Sequence, residues 1–182
     1  YGSGARSFYT AKKPVKSVED LKGMKFRVMK TAVFVDTIEA LGAKAAPLPY
    51  PEVYTAIKTG VVDGAENNWP SYESSRHFEV APYYTLDMHS VVPEILCVSK
   101  KLWDSLTDDE KKSFRDAAKT STPVMRKAWE DRAKKSRQIV IDAGSQIFEV
   151  DNTTFSAKMG PVYEKYLTPE AQAYVERIKK ID

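Results

Sequence analysis

A guanidinium in a strand that otherwise heads for the core has to find an anion, and Arg27 in Lys25-Phe-Arg-Val-Met29 is such a residue. Its planar fork matches a carboxylate through two parallel hydrogen bonds, which makes Arg27 a candidate for holding an acid. An internal salt bridge to an Asp or Glu is the other reading, and acidic residues are plentiful here. A second polar group stands at Asn67, Asn68 and Trp69, just after the apolar stretch Gly60-Val-Val-Asp-Gly64. Asn offers donors and an acceptor, Trp a flat apolar face with one N–H, and together they suit a polyhydroxylated ligand better than a proton-transfer reaction. The plainer alternative is a turn whose Asn residues cap a helix starting near Ser71 and whose Trp belongs to the core.

Other chemistries find little support. Two histidines, His77 and His89, and a single Cys97 offer no metal-ligand spacing, so neither a metal nor another cofactor is expected. No G-x-S-x-G elbow occurs, and no residue is assigned a catalytic role. Gly2 and Gly4 hint at a phosphate-cradling loop but lack the later Gly and the Lys-Ser/Thr pair. The net charge of +3 is small and both signs are interleaved along the chain, which argues against a nucleic-acid partner. No apolar run approaches the length of a membrane span, and the 42% hydrophobic and 29% charged content is that of a soluble globular protein. Cys97, in Ile95-Leu-Cys-Val98, reads as a small buried hydrophobe.

The elements that must position these residues alternate between strand and helix. Ser17-Val-Glu-Asp20 has the form of a capping box, and Gly23 ends the short helix that it opens. Lys25–Met29 is a strand, and Val33, Val35, Ile38 and Leu41 recur at helical spacing up to Gly42. Residues 43–48 form a second strand, and Pro51 starts a helix that Gly60 stops. Gly60 and Gly64 bracket a brief strand at Val61–Asp63. This rhythm predicts a mainly parallel sheet covered by helices, with ligands gathering at the carboxyl ends of the strands, where Arg27 and Asn67 to Trp69 could meet. Beyond it, Val91–Ser99 reads as a buried strand, and Thr107-Asp-Asp-Glu110 as a strong capping box. Pro123 opens or kinks a second helix running to Gly144, roughly 30 Å long. A strand at 147–150 and helices at 153–166 and 169–181 complete the pattern.

Five collinear segments carry a family resemblance: Asp20-Leu-Lys-Gly-Met-Lys-Phe-Arg-Val28, Ala40-Leu-Gly-Ala43, Glu52-Val-Tyr54, Lys58-Thr-Gly-Val-Val-Asp-Gly-Ala-Glu-Asn67 and Phe78-Glu-Val-Ala81. In order and spacing the chain resembles the DctP-type solute-binding proteins of tripartite ATP-independent periplasmic (TRAP) transporters. The resemblance covers essentially all of the chain but only the later part of a family member; it implies that the signal peptide and most of a first lobe are absent, in keeping with an opening at Tyr1 without Met.

It further implies an α/β, type II periplasmic-binding-protein-like fold of two lobes. Residues 5–90 and 133–182 are expected to form most of one lobe, with 91–132 giving a strand and helices to the other. Arg27 corresponds to the arginine that grips the ligand carboxylate and Asn67 to the asparagine bonded to it, with Arg6 as a second arginine and Tyr50 as an aromatic lining the cleft. The run Glu66-Asn-Asn-Trp-Pro-Ser-Tyr-Glu-Ser74, with His89 and Pro93-Glu94, is similar to the sugar-acid branch, which adds Asn68, Trp69 and His89 to the expected site. The implied function is capture of a uronate or aldonate in the periplasm for delivery to TRAP membrane subunits. A C4-dicarboxylate, keto acid or sialic acid is the alternative ligand, and a carbohydrate-acid lyase the alternative class. Apolar surface around Ile95–Val98, left by the missing lobe, is expected to make the chain self-associate.

Overall fold

The computed structural model describes residues 1–178. The strands are β1 (Gly2–Thr10), β2 (Lys25–Val28), β3 (Lys44–Pro47), β4 (Gly64–Asn67), β5 (Tyr83–Pro93) and β6 (Gln146–Glu149). The helices are α1 (Ala32–Ala40), α2 (Val53–Lys58), α3 (Trp69–Ser74), α4 (Lys100–Ser105), α5 (Asp108–Asp142), α6 (Asn152–Ser156), α7 (Gly160–Tyr166) and α8 (Pro169–Ile178). The strands form one six-stranded sheet in the order β3-β2-β4-β1-β5-β6. The β2–β3, β2–β4 and β5–β6 pairs are parallel, and β1 runs antiparallel to both its neighbours, β4 and β5. The mainly parallel α/β sheet expected from the βα rhythm is therefore present, with one reversed strand at its centre.

Strand alternation sends successive side chains to opposite faces, and each face has its own core. Phe8, Phe26 and Val28 pack with Leu21, Ile38, Leu41 and Phe155 on one face. Tyr9 and Ala65 pack with Val53, Ile57, Tyr72, Tyr84 and Val140 on the other. Arg27, between Phe26 and Val28, is thereby turned to the second face, as is Asn67, two residues after Ala65. Glu66 is turned to the first.

Four local expectations are corrected. Residues 61–63 form bends rather than a strand, because they return the chain from α2: Val62 N–H donates to Ala56 O and Asp63 N–H to Lys25 O. The strand begins at Gly64, where a Cβ would lie 2.2 Å from Tyr9 O, so the glycine serves close strand approach rather than a turn. The strand expected at 91–99 ends at Pro93, and the residues after it are exposed, Ile95 by 79%. Cys97 is exposed with them rather than buried. Finally, α5 is one continuous helix of 35 residues with Pro123 inside it. Both Pro123 and Lys119, whose carbonyl loses its partner, are exposed, so water can satisfy the orphaned group.

The capping box at the start of α5 is present, Glu110 N–H donating to Thr107 Oγ1 at 3.3 Å and Thr107 N–H to Glu110 Oε2 at 2.8 Å. The buried residues of α5, Ser136 and Val140, both lie near its C-terminal end; α4 carries none. The last expected helix is seen as α8 up to Ile178, and the remainder of that stretch lies outside the described residues.

Candidate ligand-binding site

The carboxyl ends of β2 and β4 open onto a cavity of about 360 Å³ lined by Ser3, Arg6, Arg27, Met29, Tyr50, Asn67, Asn68, Ser71, Val92, Glu94 and Trp129. Arg27 comes from β2, whose parallel register with β4 sets it beside Ala65, two positions short of Asn67. It is 4% exposed, and its Nε donates to Leu48 O at 2.9 Å. The Tyr50 ring lies 5.4 Å from its guanidinium carbon. Among the described residues Arg27 forms no ion pair, so the internal salt bridge that sequence left open is not made here. Burial pulls its pKa below the ordinary arginine value, which is the signature of a charge taken out of water without a full partner.

Tyr50 is held in turn: its hydroxyl pairs with Ser75 Oγ at 2.8 Å and donates to Ser71 O at 3.2 Å. The His77 ring meets its edge at 5.6 Å. His77 itself is buried, with Nδ1 2.8 Å from the Tyr9 hydroxyl, and burial together with the nearby Arg27 charge lowers its pKa to about 4. Asn67 is buried beside these groups, and its side-chain oxygen accepts Asn68 N–H at 2.9 Å. The amide NH2 is what remains of Asn67 to donate. Asn68 caps α3, its oxygen accepting Ser71 N–H at 2.9 Å, while also lining the cavity.

Arg6 touches the same cavity but is already engaged. Its Nε lies 2.6 Å from Glu66 Oε2, and its Nη2 donates to Glu66 Oε1 at 3.0 Å and to Glu66 O at 3.1 Å. Burial alone would lower the pKa of Arg6, yet the Glu66 carboxylate outweighs it and raises it. Glu66 also faces His89, whose Nε2 is 3.5 Å away and whose Nδ1 is 2.5 Å from Asp87 Oδ2. Despite a burial that opposes charge, Asp87 and then Glu66 push the His89 pKa up to about 10. His89 stacks on Phe8 at 4.5 Å, and Asp87 accepts Phe8 N–H. Arg6, Glu66, His89 and Asp87 thus form a buried network of two cations and two anions on the face opposite Arg27.

The structure therefore brings Arg27, Asn67, Asn68, Tyr50 and Arg6 of the sequence candidates to one cavity, and sets two others apart. His89 is absorbed into the carboxylate network. Trp69 is stacked on Tyr84 at 3.8 Å and lines a neighbouring, mostly apolar cavity of about 480 Å³. With Asn68 as cap, α3 starts at Trp69 and turns its ring back over β5, so that it stacks on Tyr84 and has the Arg137 guanidinium 5.9 Å from its centre. Sequence reasoning missed Glu66 as the partner of Arg6, because sixty positions separate them. It named Glu94 only within the sugar-acid resemblance, not as a site residue, and missed Trp129; the two reach the cavity from the end of β5 and from α5. Among the described residues no cluster of His, Cys, Asp and Glu could hold a metal ion.

Comparison with known proteins gives consistent matches. The family model for DctP, bacterial extracellular solute-binding protein family 7, matches residues 1–169. A solute-binding protein of Chromohalobacter salexigens is 44% identical in an alignment of 182 positions that covers 98% of this chain and 54% of that protein. The chain thus spans about half the length of this curated relative. A TRAP periplasmic solute-binding protein from a Bradyrhizobium species, solved in complex with α/β-D-galacturonate, is 51% identical with a TM-score of 0.92, covering 100% of this chain and 61% of that one. Another from C. salexigens, solved with bound D-glucuronate, is 45% identical with a TM-score of 0.93, covering 98% of this chain and 60% of that one.

Proposed function

Because the chain belongs to the DctP family of bacterial extracellular solute-binding proteins, we propose that it serves to capture a sugar acid, a uronate above all, and to deliver it to the membrane subunits of a TRAP transporter. The chain has the α/β fold of its solved relatives, two of which hold uronates. The observation that carries the reading is Arg27, a buried guanidinium without an ion pair among the described residues, on a cavity it shares with Asn67. A ligand carboxylate there supplies the anion that the chain itself withholds. The periplasm is the place of action that the family and its relatives support, and no helix of the described residues is long and apolar enough to cross a membrane.

In this reading residues 5–90 and 133–182 form most of one lobe and 91–132 contribute to the other, a division that the concentration of buried α5 residues near its C-terminal end supports. The exposed run from Ile95 to Val98 is then lobe-contact surface, through which the chain by itself would self-associate. Binding is read as the whole activity, as the matched relatives are solute-binding proteins rather than enzymes.

The test is a thermal-shift screen of organic acids against the full-length protein, since a ligand that binds only the folded state raises the melting temperature. Hits confined to uronates or aldonates, recovered chemically unchanged, are the expected result. Hits only among succinate-like acids would overturn the sugar-acid reading, and turnover of the bound acid would overturn the assignment as a binding protein.

A further inference from the structure

We infer that Glu94 is a specificity-determining residue of this cavity, admitting acids with a single carboxylate and a hydroxylated tail and rejecting those with a second carboxylate. The inference rests on the reading of the cavity as a sugar-acid site. The charged side chains on it are Arg6, Arg27 and Glu94. Arg6 is neutralised by Glu66, which leaves, among the described residues, one cation to hold a carboxylate and one anion facing whatever else the ligand carries.

The sheet sets these two charges at different levels. Arg27 lies at the register of Ala65, before β4 ends at Asn67. From Ser7, the partner of Asn67, β1 runs on with β5 to the pair Gly2 and Pro93. Glu94 follows at once, pinned by its own N–H donating to Tyr1 O at 3.2 Å. Arg27 is thus at the floor and Glu94 at the far end. The Glu94 side chain is exposed and among the described residues makes no ion pair.

Trp129 lines the same cavity, and its Nε1–H is buried without a hydrogen-bond partner. That N–H faces Gly4 and is closed to solvent, so Trp129 shapes the cavity rather than donating into it. A ligand hydroxyl reaching the far end can donate to Glu94. A carboxylate can only accept, and there it would set a second negative charge against Glu94 with no further cation among the described residues of the cavity. Like-charge juxtaposition of this sort is a standard means of rejecting a near-isosteric ligand.

The discriminating pair is a uronate and its aldarate. They share six carbons, but the uronate is a closed ring with one carboxylate and the aldarate an open chain with two. The charge is therefore read from the change in their ratio between parent and variant. Calorimetric titration of the full-length protein with D-glucuronate, D-galacturonate, D-glucarate and galactarate should show a preference for the uronates of about tenfold or more. Glu94→Gln keeps the shape of the side chain and one acceptor oxygen while removing the charge. It should narrow the uronate-to-aldarate ratio by about tenfold, chiefly by gaining aldarate affinity. A Glu94→Gln protein that keeps the parent ratio, or a parent that binds aldarates as tightly as uronates, would overturn the inference. A folded parent that binds no uronate at all would overturn the sugar-acid reading first, and this inference with it.

Discussion

Arg6 and Arg27 sit on strands of one sheet with only β4 between them, 7% and 4% exposed, and border the same cavity. Arg6 is met by a carboxylate within the chain, and the network around it, through Glu66, His89 and Asp87, balances to zero formal charge. Arg27 receives a backbone carbonyl and the face of Tyr50, and no carboxylate among the described residues. Burying a guanidinium costs several kcal/mol in either place. In the first region that cost is met when the chain folds, and in the second no carboxylate among the described residues meets it. The comparison teaches that a buried arginine is better read by the partner it lacks than by its presence.

The sharpest way to break this comparison is to remove the internal partner. Glu66→Gln would leave Arg6 and His89 charged, buried and short of an anion, and losing one member of a buried pair costs about 3–5 kcal/mol. That is a large share of the roughly 5–15 kcal/mol holding a typical domain together. Urea or thermal unfolding of the full-length variant should show the loss, while the molecules that remain folded keep most of their ligand affinity. A Glu66→Gln protein as stable as the parent would show that the network is no structural element.

The converse change is Arg27→Lys, which keeps the charge and removes the fork. It should leave the melting temperature of the unliganded protein near that of the parent. Affinity for the best acid from the screen should fall tens to thousands of fold, on the order of 2–5 kcal/mol, because a lysine point charge cannot make paired hydrogen bonds. Calorimetric titration measures this, and parental binding would return Arg27 to a structural role.

How much of this was legible in the sequence follows from the same residues. The strand holding Arg27, the helix after it and the capping box of α5 are local patterns, and local patterns are readable. Arg27 and Asn67 could be expected to meet because parallel βα units bring strand ends together. The pairing of Arg6 with Glu66 was not readable, since it depends on β1 lying beside β4 in reverse, a contact across sixty positions with no spacing rule. Trp69 and His89 stand off the Arg27 cavity for a related reason: residue type indicates what a side chain can bind, but not that Tyr84 stacks on the one and Asp87 pairs with the other. Gly64 resembled a turn residue until its contact with Tyr9 O was seen.

Titration separates the two regions further. His89 has its pKa raised to about 10, so its contribution is complete below an unfolded value near 6.5 and is lost as pH rises toward 10. His77 behaves oppositely: its pKa is lowered to about 4, so stability is retained above 6.5 and lost as pH falls toward 4. Glu66, held low by His89 and Arg6 against its burial, adds to that acid limb below its ordinary range. Each pH unit crossed on either limb is worth up to about 1.4 kcal/mol per group. Melting temperature against pH should therefore peak near pH 6.5 and fall on both sides. His77→Gln should flatten the acid limb and leave the alkaline one; a flat parental curve between pH 4 and 10 would contradict both assignments.

The smallest effect sharpens the cavity side of the comparison. Asn67 gives its side-chain oxygen to Asn68 N–H, so only the NH2 group is left for a ligand. A neutral hydrogen bond contributes about 0.5–1.5 kcal/mol net, which limits the affinity loss in Asn67→Ala to roughly two- to tenfold. The substitution also removes the acceptor of Asn68 N–H, so part of any loss could come from a loosened start of α3, where Asn68 caps Ser71. Asn67→Asp separates these contributions. It keeps the acceptor for Asn68 but replaces the donor with a charge that repels a carboxylate at Arg27. If Asn67 acts on the ligand, Asp should bind worse than Ala in calorimetric titration. If it acts only by holding Asn68, the order reverses, and Asp, which keeps that acceptor, should bind better than Ala.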